Sequence, residues 1–359
     1  MNQTANLRTF SRYASLNILG MVGISCYILA DTFFVSRGTG ATGLAALNIA
    51  IPAYNLLNGL GLMTGVGGAT QFSICRAQKD SQGADRAFTN AVFLGLGIGA
   101  LFLLLGVFGA APLSYLLGAD AETFPLTSVY LRTLLSFSPF FVINNVLLAF
   151  VRNDGDPGRA MRGMVIGSLS NIVFDYLFIF PLGMGMFGAA LATGVSPIIS
   201  ILLQIGHLRK TSRGFHLLRI RPQIRAMPAL CAPGLSSLIG EASSGVVLLL
   251  FNLTMLRLTG NTGVAAYSII ANLALVAIAI FQGLSTGMQP LVSHSSGAGD
   301  RAALRRLFRY GVVTALSIAT LLYVLVCTFA EPISAAFNSA GDPVLTGYAV
   351  PGLRIYFLG

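Results

Sequence analysis

RNDGDPGRAMRGMVIGSLSNIVFDYLFIF, residues 152–180, opens with a polar, basic turn and continues as one long apolar run. Ser168, Asn171 and Asp175 interrupt that run at i, i+3 and i+7, so they share one stripe of a helix. A charge at the centre of an apolar helix costs about 2.5 to 3.5 kcal/mol on insertion scales, and it therefore faces a partner or a cavity. Either these polar side chains are hydrogen-bonded by a neighbouring helix, or they form a cation or proton site. The second interpretation is favoured.

The composition of the whole chain predicts an all-α polytopic membrane protein. Its 359 residues are 55% hydrophobic and only 9% charged, with a mean hydropathy of +0.77, whereas soluble chains average about 25% charged residues. The net charge of +10 does not predict nucleic-acid binding, because the basic residues recur in short loops and form no single patch. The four cysteines lie in separate apolar runs and support neither a disulfide framework nor a metal site.

Ten apolar segments are predicted to span or enter the bilayer. The loops between them alternate in charge, and nearly all basic residues lie in every second loop. The positive-inside rule then places the N-terminus and the 209–227 loop in the cytoplasm of a multi-pass protein of the cell (inner or plasma) membrane. The predicted segments are 13–35, 45–73, 88–110, 125–149, 162–182, 187–208, 228–256, 264–291, 308–329 and one that starts at about 346.

An internal repeat divides the chain. TGLAA at 42–46 matches TGVAA at 262–266, and DRA at 85–87 matches DRA at 300–302. Six helices in each copy would give both copies the same orientation, as parallel repeats about an axis along the membrane normal. The pattern predicts two pseudo-symmetric six-helix lobes.

The predicted domains are an N-terminal lobe at 1–209, a cytoplasmic inter-lobe linker at 210–227 and a C-terminal lobe at 228–359. The first copy occupies about 225 residues, but only about 134 (359 minus 225) remain for the second. The second lobe is therefore expected to be incomplete, with about 9–10 transmembrane helices present in total.

Two acidic residues and a threonine are predicted to lie at similar depths in the membrane. Counting 1.5 Å per residue from the nearest basic loop puts Asp31, Asp175 and Thr193 about 28, 20 and 24 Å deep, in the outer half of a core about 30 Å thick. Only Arg37, near the outer surface, could neutralise two carboxylates there. Two such acids should share a proton or hold a cation, so the coupling ion is Na⁺ or H⁺.

Weaker candidates lie elsewhere in the predicted helices. Glu241 in the seventh segment is either a hydrogen-bonded acid or a second cation or substrate site. A cleft for lipophilic cations would use adaptable thioethers, aromatic faces and polar groups. The candidates for such a cleft are Met21, Tyr27, Asn145 and Ser168.

The chain resembles the multidrug and toxic compound extrusion (MATE) transporters. The resemblance rests on residues 152–180 together with ADTFFVSRGTGATGLAALNIAIP (30–52), GVGGATQFSI (65–74), GAALATGVS (188–196) and GLSTGMQPLVSHSSGAGD (283–300). It implies two six-helix lobes around a central cleft that alternate between inward-open and outward-open states. It also implies export driven by a sodium or proton gradient.

The resemblance further implies site residues. The family's first-lobe cation site would map onto Asp31, Asn171, Asp175 and Thr193, and the acid of its seventh helix onto Glu241, eight residues after Pro233. Two departures concern helix bending. Leu16 stands where many relatives have a proline, and Tyr176 follows Asp175 where close relatives often have one.

The sequence therefore predicts a cation-coupled antiporter that exports amphipathic, cationic small molecules. We expect no enzymatic activity, no cofactor beyond the coupling ion, contact with membrane lipid and a monomeric state. An alternative is a flippase or exporter of lipid-linked or metabolite cargo on the same fold. That alternative needs a basic cleft to hold phosphates, and the first lobe is expected to lack interior Lys or Arg. An intramembrane enzyme would need clustered histidines, but the three present are scattered.

Overall fold

The computed structural model describes residues 6–210, 213–218, 223, 226–337 and 343–358, in which all regular structure is helical. We call α1–α7 the first lobe and α9–α11 the second lobe. The helices are α1 (Leu7–Gly40), α2 (Thr42–Ala77), α3 (Ser81–Leu116), α4 (Phe124–Ser136), α5 (Ser138–Asn153), α6 (Pro157–Ile179), α7 (Gly185–Leu208), α8 (Met227–Cys231), α9 (Leu235–Gly297), α10 (Arg301–Phe337) and α11 (Pro343–Tyr356).

A glycine separates the first two helices. Helical backbone runs from Leu7 to Ala77 except at Gly40, where φ is 74° and ψ is −168°. Only a residue without Cβ adopts that conformation readily. The break lies within the short loop predicted between segments 13–35 and 45–73, so the predicted boundary is correct.

Helix α6, which carries the polar stripe, begins and ends at local sequence signals. The Asp156 side chain accepts a hydrogen bond from the Arg159 backbone N–H at 3.2 Å, and Pro157 occupies the first helical position. Both features are typical of helix N-termini. After Ile179 the chain turns through Gly183 and Gly185, which have φ values of 60° and 54°.

Seven of the described helices are long and apolar enough to cross a bilayer, or eight if α4 and α5, bent by 48°, form one span. This agrees with a polytopic all-α protein. The predicted segment 264–291 and all of the segment 228–256 from Leu235 onward lie within α9, a helical stretch of 63 residues, about three times the length that one span needs. Residues 228–231 belong to α8. The last predicted segment corresponds to α11, which begins at Pro343.

The basic loops of the first lobe meet at one end of the molecule, which we call the basic end. There the described part of the linker packs on the lobe: Phe215 is fully buried against Phe72, Phe88 and Phe150. The His216 backbone N–H donates to Asp85 at 2.7 Å. The predicted domain limits stay predictions, and the linker positions 211–212, 219–222 and 224–225 lie outside the described residues.

The two lobes touch directly near the basic end. A Cβ placed on Gly283 would lie 2.6 Å from the Ile18 Cα, and one on Gly287 would lie 2.8 Å from the Tyr13 carbonyl oxygen. Two glycines of α9 therefore let its backbone pack on the backbone of α1. This contact joins the two lobes near the basic end.

Candidate functional site

Four polar side chains from three helices gather in the interior of the first lobe. Asp31 comes from α1, Asn171 and Asp175 from α6, and Thr193 from α7; they are 7%, 0%, 0% and 6% exposed, respectively. The stripe predicted on α6 is therefore turned inward, and the structure brings the four predicted coupling residues together.

Asn171 links two of the other three residues. With its amide nitrogen toward Asp175, that nitrogen donates to Asp175 Oδ2 at 3.0 Å, and its carbonyl oxygen accepts from the Thr193 backbone N–H at 3.2 Å. The Thr193 hydroxyl donates to the Ala189 carbonyl at 3.1 Å. In the opposite orientation the Asn171 amide oxygen would face only acceptors, so the orientation with nitrogen toward Asp175 is assigned. Asp31 completes the group, close enough for its charge to act on Asp175.

Each carboxylate keeps one oxygen without a partner. Among the described residues, Oδ1 of Asp31 and Oδ1 of Asp175 are buried and make no hydrogen bond. Arg37 does not neutralise them, because its guanidinium lies over the Phe33 ring, 5.7 Å from the centroid. Buried unpaired carboxylates are costly. Oxygen atoms from two carboxylates, an amide and a hydroxyl suit a hard cation, and the two acids equally suit a shared proton.

Sequence reasoning missed Tyr130 of α4. It is 4% exposed and lies near Thr193 and both carboxylates. A signal was available, since Thr127, Tyr130 and Thr133 recur at three-residue spacing and are all buried. Such a stripe indicates a polar face turned toward other helices.

Two adjoining cavities run between the lobes, with volumes of about 450 Å³ and 280 Å³. Asp31 lines the larger one, and Tyr27, Tyr54 and Thr193 line both. The Tyr27 and Tyr54 hydroxyls are 3.0 Å apart. The four cleft residues predicted from the sequence, Met21, Tyr27, Asn145 and Ser168, all line the smaller cavity.

Glu241 reaches the same cleft from the second lobe. Its Oε1 accepts a hydrogen bond from Gln282 Nε2 at 3.3 Å, and Asn58 of the first lobe faces the same carboxylate. Asn58 in turn accepts from Asn145 Nδ2 at 3.1 Å. Glu241 is therefore apart from the Asp31–Asp175 group and forms a polar bridge between the lobes.

The expectation that the first lobe lacks an interior Lys or Arg is wrong. Arg152, assigned from the sequence to a surface loop, is the penultimate residue of α5, is 6% exposed and lines the smaller cavity. Its Nη1 donates to Asn17 Oδ1 at 3.0 Å. Helix α5 continues past the apolar segment into the RNDG turn. A hydropathy pattern does not show that the Arg152 side chain points inward from there.

A second carboxylate pair lies at the basic end. His207 bridges it, with Nε2 2.9 Å from Asp154 Oδ2 and Nδ1 3.3 Å from Asp156 Oδ2. Burial alone would raise the pKa of Asp156, but hydrogen bonds from Lys210, His207 and the Arg159 backbone outweigh it and lower that pKa to about 2. The sequence interpretation of the histidines as scattered residues missed this cluster.

The two positions that depart from the family pattern lie in regular helix. Leu16 is half-buried in α1, which keeps helical backbone from Leu7 to the break at Gly40. Tyr176 is exposed, and its ring centroid lies 6.3 Å from that of Phe34. Neither position therefore bends its helix in this conformation.

Buried carboxylates beside a cleft between two groups of membrane-spanning helices define a polytopic membrane protein of the transporter type. The chain belongs to the MatE family, whose model matches residues 17–177 and 238–359.

Curated relatives carry transport functions in their names. The multidrug export protein MepA of Staphylococcus saprophyticus is 27% identical over 331 residues, covering 92% of this chain and 72% of the relative. An FAD transporter of Shewanella oneidensis is 26% identical over 337 residues, covering 91% and 73%.

Solved structures share the fold. A multidrug resistance MATE family transporter of the MOP superfamily in an outward-facing conformation superposes with a TM-score of 0.89 at 26% identity, covering 96% of this chain and 77% of that one. A MOP superfamily transporter from Pyrococcus furiosus, described by a binding pocket of reverse polarity, gives the same score and identity, covering 98% and 79%. These matches confirm the family that the sequence motifs predicted.

Proposed function

We propose that the protein is a cation-coupled antiporter that exports amphipathic, cationic small molecules across the cell membrane by alternating access. The observation that carries the proposal is the Asp31–Asp175 group, with two buried carboxylate oxygens that lack a partner among the described residues. Such a group needs a proton or a cation at that position. Its place beside the inter-lobe cavity lets the bound ion and the cargo act on one another.

Exchange follows from linkage. A cation at Asp31 and Asp175 neutralises the group and favours one arrangement of α1 and α6, whereas cargo in the cleft favours the other. Each ligand shifts the same equilibrium, so binding of one promotes release of the other. The close contact of Gly283 and Gly287 with α1 near the basic end supports a state that opens toward the opposite end, which faces outward when the N-terminus is in the cytoplasm.

The lining of the cleft supports cationic cargo. Tyrosine faces at Tyr27, Tyr54 and Tyr267 surround the larger cavity, and Glu241 lines the smaller one. Aromatic faces attract organic cations, and a carboxylate adds a counter-charge. Multidrug export is also the activity in the name of the relative from Staphylococcus saprophyticus. The transporter would act as a monomer in contact with lipid, without an enzymatic step.

The test is transport in proteoliposomes with the two gradients imposed separately. We expect ethidium accumulation to follow a sodium gradient or a proton gradient, and to collapse when the matching ionophore is added. Asp31→Asn and Asp175→Asn should each remove the response. Equal ethidium movement with and without any gradient would refute coupled antiport.

An exporter of a metabolite remains the second candidate. It is favoured by the buried Arg152 in the cleft and by the similarity to an FAD transporter. Competition between FAD and ethidium in the same proteoliposomes separates the two. Uptake of FAD with no response to ethidium would favour the metabolite exporter.

A further inference from the structure

We propose that Arg152 is a binding residue for an acidic group of the cargo, so that the cleft takes molecules with a carboxylate as well as a cationic centre. This proposal rests on the proposed export function and adds a specificity-determining residue to it.

Arg152 is buried without a counter-charge. It is 6% exposed, and no carboxylate of the described residues lies within 4.0 Å of its guanidinium. Nη1 donates to the neutral Asn17 Oδ1, whereas Nε has no partner within the described part of the chain. A buried cation with an open donor is costly unless water or an anion satisfies it. Arg159 is by contrast paired with Asp156 at 3.3 Å.

The space in front of Arg152 is a cavity whose mainly apolar lining includes several polar side chains. It is shared with Asn144, Ser168 and Ser200, and the Asn144 Oδ1 and Ser200 Oγ atoms also lack partners among the described residues. Gly163 and Gly167 form part of the wall. A guanidinium presents its donors in a planar fork that fits a carboxylate.

Arg152 and Glu241 form two opposite poles of this cavity. Glu241 is connected through Asn58 to Asn145, which lies seven residues before Arg152 on α5, or about 10 Å along the helix axis. Asp31 is farther from Arg152. It lies 14 residues after Asn17, the hydrogen-bond partner of Arg152, or about 21 Å along α1. A molecule with its cationic centre near Glu241 can therefore place an acidic group on Arg152 without competing for the Asp31–Asp175 group.

The experiment compares two dyes that differ in one carboxylate. Rhodamine B carries a free carboxylate, and its ethyl ester is a permanent cation with the same ring system. Binding of each to the purified full chain in detergent is followed by fluorescence anisotropy at neutral pH. For Arg152→Gln we expect the ratio of acid affinity to ester affinity to fall by about 10-fold or more, the range of a charge-assisted hydrogen bond.

Three variants make the result specific. Arg162→Gln removes the same charge at the same end of the molecule from an exposed side chain, and it should keep the wild-type ratio. Arg152→Lys keeps the charge and should retain part of the acid preference. Asn17→Asp places a carboxylate beside Nη1 of Arg152. This carboxylate should pair with Arg152 and so lower the affinity for the dye with the free carboxylate. The variant also tests the proposal if Arg152→Gln does not fold.

The outcomes separate this proposal from the proposed export function. Equal changes for both dyes in Arg152→Gln and Asn17→Asp would overturn the anion subsite and leave export of the ester intact. Failure of the wild-type protein to bind or export either dye would instead count against the proposed function.

Discussion

Two pairs of carboxylates that both draw on the segment 152–180 differ in how completely their oxygens are hydrogen-bonded. Asp154 and Asp156, at the basic end, share His207, and Asp154 also accepts the Gly214 backbone N–H at 2.8 Å. Asp175, some 20 residues further on, shares its pocket with Asp31, and each keeps an oxygen without a partner among the described residues. Burial alone therefore does not distinguish a structural acid from a functional one.

The difference lies in what each pair gains from folding. Buried carboxylates with hydrogen-bond partners contribute to stability, because the native state supplies the hydrogen bonds that water would supply. Buried carboxylates with an unpartnered oxygen lower the stability until a proton or cation binds. Substitutions should therefore separate the two pairs, with transport affected at one and stability at the other.

The largest effect is expected for Asp175→Asn. The amide can still accept from Asn171 but carries no charge to bind a coupling ion, so gradient-driven dye efflux should be abolished while the fold is retained. Efflux from cells at equal expression and unfolding of the purified protein measure the two quantities. Unchanged efflux would remove Asp175 from the mechanism.

His207→Ala should give the opposite phenotype. It removes the bridge between two buried or half-buried carboxylates and should lower the free energy of unfolding by about 3 kcal/mol. Denaturant unfolding in detergent measures the loss, and transport per folded molecule should persist. A stable variant without transport would show that this cluster takes part in the cycle.

A smaller effect on transport is expected for Tyr130→Phe. This variant keeps the ring but removes the hydroxyl that lies near Thr193 and both carboxylates, and one neutral hydrogen bond to a bound ion or its ligands is worth about 0.5 to 1.5 kcal/mol, or roughly 3- to 10-fold in an affinity. Efflux measured against sodium concentration and pH should show a weaker apparent affinity for the coupling ion. Tyr115→Phe, at an exposed tyrosine of α3, is the matched control and should behave as wild type.

The smallest effect concerns pH and Asp156. Its pKa is lowered from the ordinary 3.8 to about 2, so its contribution to stability is complete above about pH 4 and is lost as the pH falls through about 2. Asp156→Asn should lower the free energy of unfolding by about 1 kcal/mol at neutral pH, since Lys210 is partly exposed and screened. The gap between variant and wild type should close in acid, and a gap that is constant with pH would contradict the assignment.

The sequence was informative wherever one residue's environment follows from its own helix. Asp31, Asn171, Asp175 and Thr193 could be singled out because depth and helical spacing are properties of a single segment. Pairings between helices could not be obtained in that way. Tyr130 reached the site only through the packing of α4, and the inward turn of Arg152 depended on Asn17, which is 135 positions away in the chain.

The fold shows the same division. Helix positions followed from hydropathy, and the break at Gly40 coincided with a short loop whose one charged residue is Arg37. The extent of α9 and the bend of 48° between α4 and α5 did not follow, because both depend on contacts with other helices. Ser138, for instance, donates to the Gly99 carbonyl of α3 at 2.7 Å, a bond between segments that periodicity does not reveal.

The burial of Phe215 has a consequence for motion. An aromatic side chain with no exposed surface, surrounded by Phe72, Phe88 and Phe150, moves with those rings as one rigid unit. Residues 213–218 should then travel with α2, α3 and α5 whenever the halves of the molecule swing apart. Grafting a flexible tether in place of residues 213–218 would therefore change the reach of the swing more than its driving force.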